Sequence, residues 1–426
     1  YIIRERGLVL PLALSYHAQG FRPDLHPSWV GANWSLQAGG AITRKLNNLP
    51  DEWKSDDYNI NGYYYSHDRL NNPAWSSTDT LAWLNPATVA AEKWQDREPD
   101  EFGFNFLDFS GKFFLDHLGK WRVQCDKNLE VMFSEEDLVN PFFHNSVPAA
   151  SMPFFKPKVF GKFTLVDDSG IQYVFGKTES TDGIEYSSSI TPPDLNYRTW
   201  LIATSWHLAE IRFPDQTGII TINYERGPFQ SNFQYFESQN RFFVSRCTPA
   251  AGGTSSYDAK GLSGTITSPV YPTAIYTTSG VKAEFYFSRS NEMQYPSSTY
   301  LEVFRDEQGR LPAQQSPPSS VPPGYFSFML ARNEVPYYVQ NGIWADGIVS
   351  NDKFAWFKLD SLVIIDYDLN NNMARTPFQR MSFRYRENPN ERLKLESVAM
   401  YGAEPGQDSL QYVMKYNDWG PAAPGY

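Results

Sequence analysis

Six histidines (His17, His26, His67, His117, His144 and His207) are the side chains best suited to proton transfer or metal ligation, and they are spread singly along the chain. No HExxH stretch or close pair joins them, so each reads as a surface or hydrogen-bonded core residue. Asp168-Ser-Gly170 has the outline of an aspartic-protease loop, a chemistry that needs a second such loop so that two carboxylates share a proton. Asp108-Phe-Ser-Gly111 and Asp215-Gln-Thr-Gly218 are each one residue too long for that part. All three lie where strand pairs must turn, and Asp with Gly is ordinary turn chemistry. Gly261-Leu-Ser-Gly264 is one residue short of a GxSxG elbow. Asp366-Tyr-Asp-Leu-Asn-Asn-Asn372 hints at a calcium loop, but its sixth position is Asn371 rather than Gly, and its twelfth, Pro377, offers no carboxylate. The acidic stretches 134–137 and 96–101 hold enough carboxylates for a glycosidase pair, yet charge runs of this kind are usually solvated. No Gly-rich phosphate loop is present. These readings point away from an enzyme and name no cofactor and no metal.

Binding has more to offer. Tyr63, Tyr64 and Tyr65, with Trp75 and Trp83, lie on an irregular aromatic excursion that suits a sugar-stacking platform. The competing and favoured reading is that these rings cap a core beneath a long loop. A net charge of −11 over 426 residues, with basic residues scattered, argues against a nucleic-acid partner. No run of about 18 apolar residues occurs, so no membrane-spanning helix is encoded. Cys125 and Cys247 are too few for a disulfide framework or a zinc site. One bridge between them is open, with two free, buried thiols ahead of it.

The elements that must position these residues follow from composition and period. Aromatic residues make up 16% of the chain, which favours pleated, half-buried surfaces and an all-β fold. Phe102, Phe104 and Phe106 share one strand face, Asp108–Gly111 turns, and Lys112–Asp116 returns. A second hairpin turns at Asp167–Gly170 into alternating Ile171, Tyr173 and Phe175. A similar outline of strand, charged turn and strand recurs over 206–224 and 271–287, is stretched over 359–386, and returns over 392–416. None of these hairpins buries its face alone, which predicts side-by-side stacking into one large antiparallel sheet. The best helix candidate is short and peripheral: Asn85-Pro86 as cap and first turn, followed by ATVAAEKWQD. Residues 147–157, the Gly/Ser/Ala-rich 248–268 and the Pro-rich 308–324 read as loops or boundaries.

The stretch Leu10–Glu52, LPLALSYHAQGFRPDLHPSWVGANWSLQAGGAITRKLNNLPDE, organises the rest. Leu10, Leu12, Leu14 and Tyr16 alternate with Pro11, Ala13 and Ser15, a two-residue period that predicts a strand with one buried side. Trp29-Val-Gly-Ala-Asn-Trp34 suits a packed aromatic corner, with Gly31 letting backbones approach closely. Gly39-Gly40 breaks the run before a further strand at Ala41-Ile-Thr-Arg44. A Trp34→Ala substitution is expected to cost about 3–5 kcal/mol if that ring is fully buried.

This succession of LSY, SWVGxxWSLxAGGxITR and LPDE resembles the opening of very long secreted bacterial proteins of the RHS/YD-repeat class, and the SpvB-like start of Tc toxin B components. PDEFGFNFLDFSGKFFLD is similar to a second phrase of that family, and Tyr416-Asn-Asp-Trp-Gly-Pro421 to a third, with Pro421 departing from it. Asn33 stands where a second glycine is expected, and Asn tolerates unusual backbone angles better than most residues. The resemblance implies a β shell of winding hairpins, often enclosing a carboxy-terminal toxin or effector. It implies structural roles for Tyr16, Trp29, Gly31, Trp34, Gly39, Gly40 and Arg44. On this reading, residues 1–200 form an amino-terminal β region and 201–426 a hairpin-repeat region leading into downstream repeats. The chain is then a non-catalytic piece that starts or plugs the shell, cut at both ends from something longer. Its partners are the downstream repeats and the carboxy-terminal domain of the same polypeptide, with secretion machinery or a cell-surface glycan as further candidates. Its place is outside a Gram-negative cell or on its surface. The alternative is a cell-surface adhesin or carbohydrate-binding module.

Overall fold

The computed structural model describes residues 1–17, 26–55, 60–68, 94–140, 158–190, 202–215, 219–228, 230–243, 254–292, 355–368, 373–386, 388, 391–402 and 410–416. Among these the chain is a succession of β-strands with two single 3₁₀ turns, Tyr63–Tyr65 and Glu135–Asp137, and no α-helix. The opening strands are β1 (Ile2–Glu5), β2 (Leu8–Tyr16), β3 (Trp34–Ala38), β4 (Gly40–Lys45), β5 (Lys54–Ser55), β6 (Ile60–Asn61) and β7 (Trp94–Gln95). Then come β8 (Glu101–Phe106), β9 (Phe109–Leu115), β10 (Trp121–Cys125), β11 (Leu129–Met132), β12 (Leu138–Val139), β13 (Val159–Phe160), β14 (Lys162–Asp167), β15 (Gln172–Gly176) and β16 (Ile184–Ile190). The later strands are β17 (Ile202–Arg212), β18 (Ile219–Arg226), β19 (Gln230–Phe243), β20 (Thr254–Ser268), β21 (Val270–Thr277) and β22 (Val281–Arg289). The last are β23 (Phe357–Asp368), β24 (Met373–Arg386), β25 (Lys394–Tyr401) and β26 (Leu410–Val413).

One strand belongs to two sheets. The first half of β17 pairs with β16 and β4, and its second half with β15 and β18. One sheet therefore runs β10-β9-β8-β4-β17-β16-β20-β19, and the other β11-β14-β15-β17-β18-β21-β22-β23-β24-β25-β26. All of these pairings are antiparallel, as the hairpin outline predicted. From β18 onward each described strand lies beside the next, apart from the β19–β20 arm, which joins the first sheet through β16.

Rings from both sheets meet in one core. Phe102 stacks on Phe113 at 5.1 Å and lies 5.7 Å from Trp206, while Phe163 sits 5.2 Å from Trp206. Trp206 is fully buried, and its indole N–H donates to the Phe160 carbonyl at 2.6 Å. Each such large apolar side chain contributes about 1.5–3 kcal/mol through removal from water. The period-two face Phe102, Phe104 and Phe106 is buried as the alternation required.

Four sequence expectations need correction. The stretch 248–268 is a strand from Thr254 onward, because a fourteen-residue register with β19 gives every paired position a ladder partner despite the Gly, Ser and Ala content. The first hairpin turns two residues earlier than Asp108–Gly111: Phe106 pairs with Phe109, Leu107 takes φ +47°, and Gly111 sits inside β9 opposite Phe104. The helix from Asn85 lies outside the described residues up to 93, and its predicted end does not hold, since Trp94–Gln95 pair as a strand with Ile60–Asn61. Asp366–Asp368, the start of the calcium-loop outline, are the end of β23, and Pro377 sits at a register shift where its missing N–H costs little. The turn at Asp167–Gly170 is where the sequence placed it. The Asp167 carboxylate accepts from the Ser169 and Ile171 N–H groups and from the Tyr173 hydroxyl, bonds that hold the turn.

Candidate functional site

The amino-terminal motif is a structural hub, and its chemistry starts at Arg44. Ile42 and Arg44 share one face of β4, and Ile42 is fully buried, so the guanidinium is carried into the core. It cannot stay there unpaired. Arg44 Nη2 donates to Glu52 Oε2, Nη1 donates to the Ala203 carbonyl at 3.2 Å, and Nε faces Asp100 Oδ2 at 3.2 Å. The rings of Phe102, Phe160 and Trp206 surround the guanidinium carbon at 5.2–5.4 Å, within cation–π range. Asp100 also accepts from the Asn47 and Asp51 N–H groups, and Asp51 accepts from the Asp100 N–H in return. Three sequence phrases, ITR, LPDE and PDE, thus converge on one buried knot.

Its electrostatics are set by burial. Burial alone would lower Arg44, but the carboxylates of Glu52 and Asp100 hold it above its ordinary value. Burial pushes Asp96 up to about 8, with the Asp100 charge adding to it. Asp100 rises to about 6, where burial outweighs the neighbouring Arg44. Burial and the charge of Asp100 raise Asp51 well above the carboxylate range. The run 96–101 is therefore not the solvated stretch that its composition suggested: Asp96 and Asp100 are buried. The signal that could have found the knot was Arg44 itself, a charge at a core-facing strand position.

The rest of the motif reaches across the chain. Gly31 takes φ +99°, and a Cβ there would lie 2.9 Å from the Leu395 nitrogen, so only glycine lets the corner close on β25. Ala32 N–H donates to the Leu393 carbonyl at 2.8 Å, and Asn33 takes φ +65°, a left-handed conformation that Asn tolerates better than most residues. Trp29 is half-buried against Tyr271, Phe285 and Phe287 at 5.4–6.3 Å, and its carbonyl accepts from the Leu359 N–H. Trp34 Nε1 donates to the Tyr416 hydroxyl, which donates to the Leu395 carbonyl. Trp34 is only half-buried, and Tyr16, 5.0 Å from it, is 48% exposed. The burial of the Leu10–Tyr16 face therefore fades towards its carboxy-terminal end. Gly39 and Gly40 take φ +111° and +121°, re-aiming the chain from β3 into β4.

The aromatic excursion folds inward where it is described. Tyr63 is buried, the Tyr64 ring lies 5.7 Å from Phe133 and 5.8 Å from Phe160, and Lys54 sits over Tyr65 at 5.0 Å. These rings cap the core; Trp75 and Trp83 lie outside the described residues. Cys125 is a free thiol, half-buried rather than buried, and Cys247 lies outside the described residues. Among the described residues, no group of three or more His, Cys, Asp or Glu is placed to hold a metal ion. No helix among them is long and apolar enough to cross a membrane.

No protein-family model matches the chain, and no curated protein matches it. One solved structure is similar over 95% of the chain, a Photorhabdus luminescens Tc holotoxin pore, at 11% identity and a TM-score of 0.34. The chain spans 14% of that chain's length.

Proposed function

We propose that this chain is a non-catalytic structural segment of a secreted bacterial RHS/YD-repeat protein, a piece that starts a β wall and is itself held in place by its amino-terminal motif. The observation that carries the reading is the last described strand. Leu410, Tyr412 and Val413 of β26 are 57%, 53% and 63% exposed, and among the described residues β26 pairs with β25 alone. An open strand edge with apolar side chains is a template for another strand. Further hairpins of the same polypeptide are the partners that fit it, and a wall extended in this way has room to enclose a carboxy-terminal toxin or effector. The opening motif supports the same role, since residues 29–34 brace strands more than 300 positions away, as in the Trp34–Tyr416 bond. Such a protein belongs outside a Gram-negative cell or on its surface. The test is an electron cryo-microscopy structure of the full-length gene product. The expected result is a hairpin laid along Leu410–Val413, continuing into a shell. A bare β26 edge with the downstream chain folded as separate globules would overturn it.

A further inference from the structure

A cavity of about 640 Å³ opens beneath the Gly39–Gly40 corner, between the amino-terminal motif and the central strand. Its wall includes Trp29, Gln37, Asn105, Glu185, His207 and Gln230. The volume lies within the range of about 300–1,000 Å³ typical of small-molecule sites. It is too roomy for a single ion.

The wall selects by charge. No Lys or Arg is among the described residues that line it, so among them a phosphate or carboxylate ligand finds no counter-ion. The one carboxylate among these residues, Glu185, is already engaged. Its Oε1 accepts from the Val270 N–H at 3.2 Å and lies 3.5 Å from His207 Nε2; burial works to raise the carboxyl, but the His207 imidazole first, then the Val270 N–H and the Arg226 charge, hold it below its ordinary value. A cation therefore gains little there. Purely apolar ligands fail for a different reason: amides and ring nitrogens in the wall would lose water without replacement. His207 Nε2 is buried and makes no hydrogen bond of good geometry among the described residues. Tyr224, whose ring centre lies 5.5 Å from that of His207, adds a second aromatic surface beside Trp29.

We propose that this cavity binds an uncharged, hydroxyl-rich ligand, a short neutral oligosaccharide, with its apolar ring faces on the aromatic wall and its hydroxyls on Gln37, Asn105, Gln230 and His207. Sugars combine an apolar face with closely spaced donors and acceptors, the two features this wall pairs. The site is separate from Tyr63–Tyr65, and it does not depend on whether β26 is extended by further hairpins.

The experiment is a glycan array carrying neutral, sialylated and sulfated glycans, followed by calorimetry with neutral glucose, galactose and N-acetylglucosamine oligosaccharides. Asn105 and Gln37 are exposed, so Asn105→Ala and Gln37→Ala report on contact rather than on folding. At least one neutral oligosaccharide is expected to bind. Each of these substitutions is expected to weaken it about fivefold, the loss of roughly one hydrogen bond, with the melting temperature kept within about 2 °C. Trp29→Ala should abolish binding, and Trp29→Phe should keep part of it. Absence of neutral-glycan binding would overturn the proposal, as would preference for sialylated or sulfated glycans. So would binding that is indifferent to Asn105→Ala and Gln37→Ala but lost in Tyr64→Ala.

Discussion

Among the described residues, the Arg44 side chain is buried with the carboxyl groups of Glu52, Asp100 and Asp51 around it. Removing Arg44 leaves Glu52 and Asp100 uncompensated in an aromatic core, so Arg44→Ala should cost about 3–5 kcal/mol in urea unfolding. A loss below about 1 kcal/mol would show the knot to be solvated. The same burial gives an unusual pH dependence. Asp96 titrates at about 8 in the folded chain against an ordinary 3.8, so between those values the folded chain keeps a proton that the unfolded chain has lost. Stability from this group is fully present below about pH 4 and is lost as the pH rises through 8. Asp96→Asn should therefore stabilise the chain more at pH 8 than at pH 5, read as the shift in urea midpoint against the parent. An equal shift at both pH values would contradict the assignment. The sequence made half of this legible. Arg44 falls in phase with Ile42, which demands buried partners, but Glu52 answers it only through the chain reversal eight positions on and Asp100 only through pairing across more than 50 positions, and a local reading of Asp96–Glu101 sees only a charge run.

At the scale of elements, period-two patterning worked where one face is strongly apolar, as in Phe102, Phe104 and Phe106, and failed where it is not. β20 is rich in Ser, Gly and Thr, residues that also make loops, and only its long partner β19 settles the matter. Ring burial separates two tryptophans that look alike in sequence. Trp206→Ala should cost about 3–5 kcal/mol. Trp34→Ala should cost about 2 kcal/mol, because a half-exposed ring forfeits only part of its burial, and not the larger figure expected of a fully buried one. Equal losses in thermal melts would contradict this ranking. The two glycines between β3 and β4 also differ. A Cβ on Gly40 would meet the Asn105 carbonyl oxygen at 2.4 Å and Phe106 Cα at 2.5 Å, both backbone, whereas on Gly39 the nearest atom is the Ile222 side-chain tip at 2.9 Å. Gly40→Ala should therefore lower the melting temperature more than Gly39→Ala, since it must part β4 from β8.

Across the whole molecule, the first residues brace the last described strands, and among the described residues the sheet they brace ends at β26, whose Leu410, Tyr412 and Val413 are exposed. The central claim is that this edge exists to be continued. Hydrogen exchange at the amides of Leu410–Val413 tests it most directly, compared between this chain alone and the full-length gene product. A following strand should close those amides and slow their exchange by about a hundredfold or more, as expected when an edge becomes an interior position. Exchange at the same fast rate in both would contradict the account.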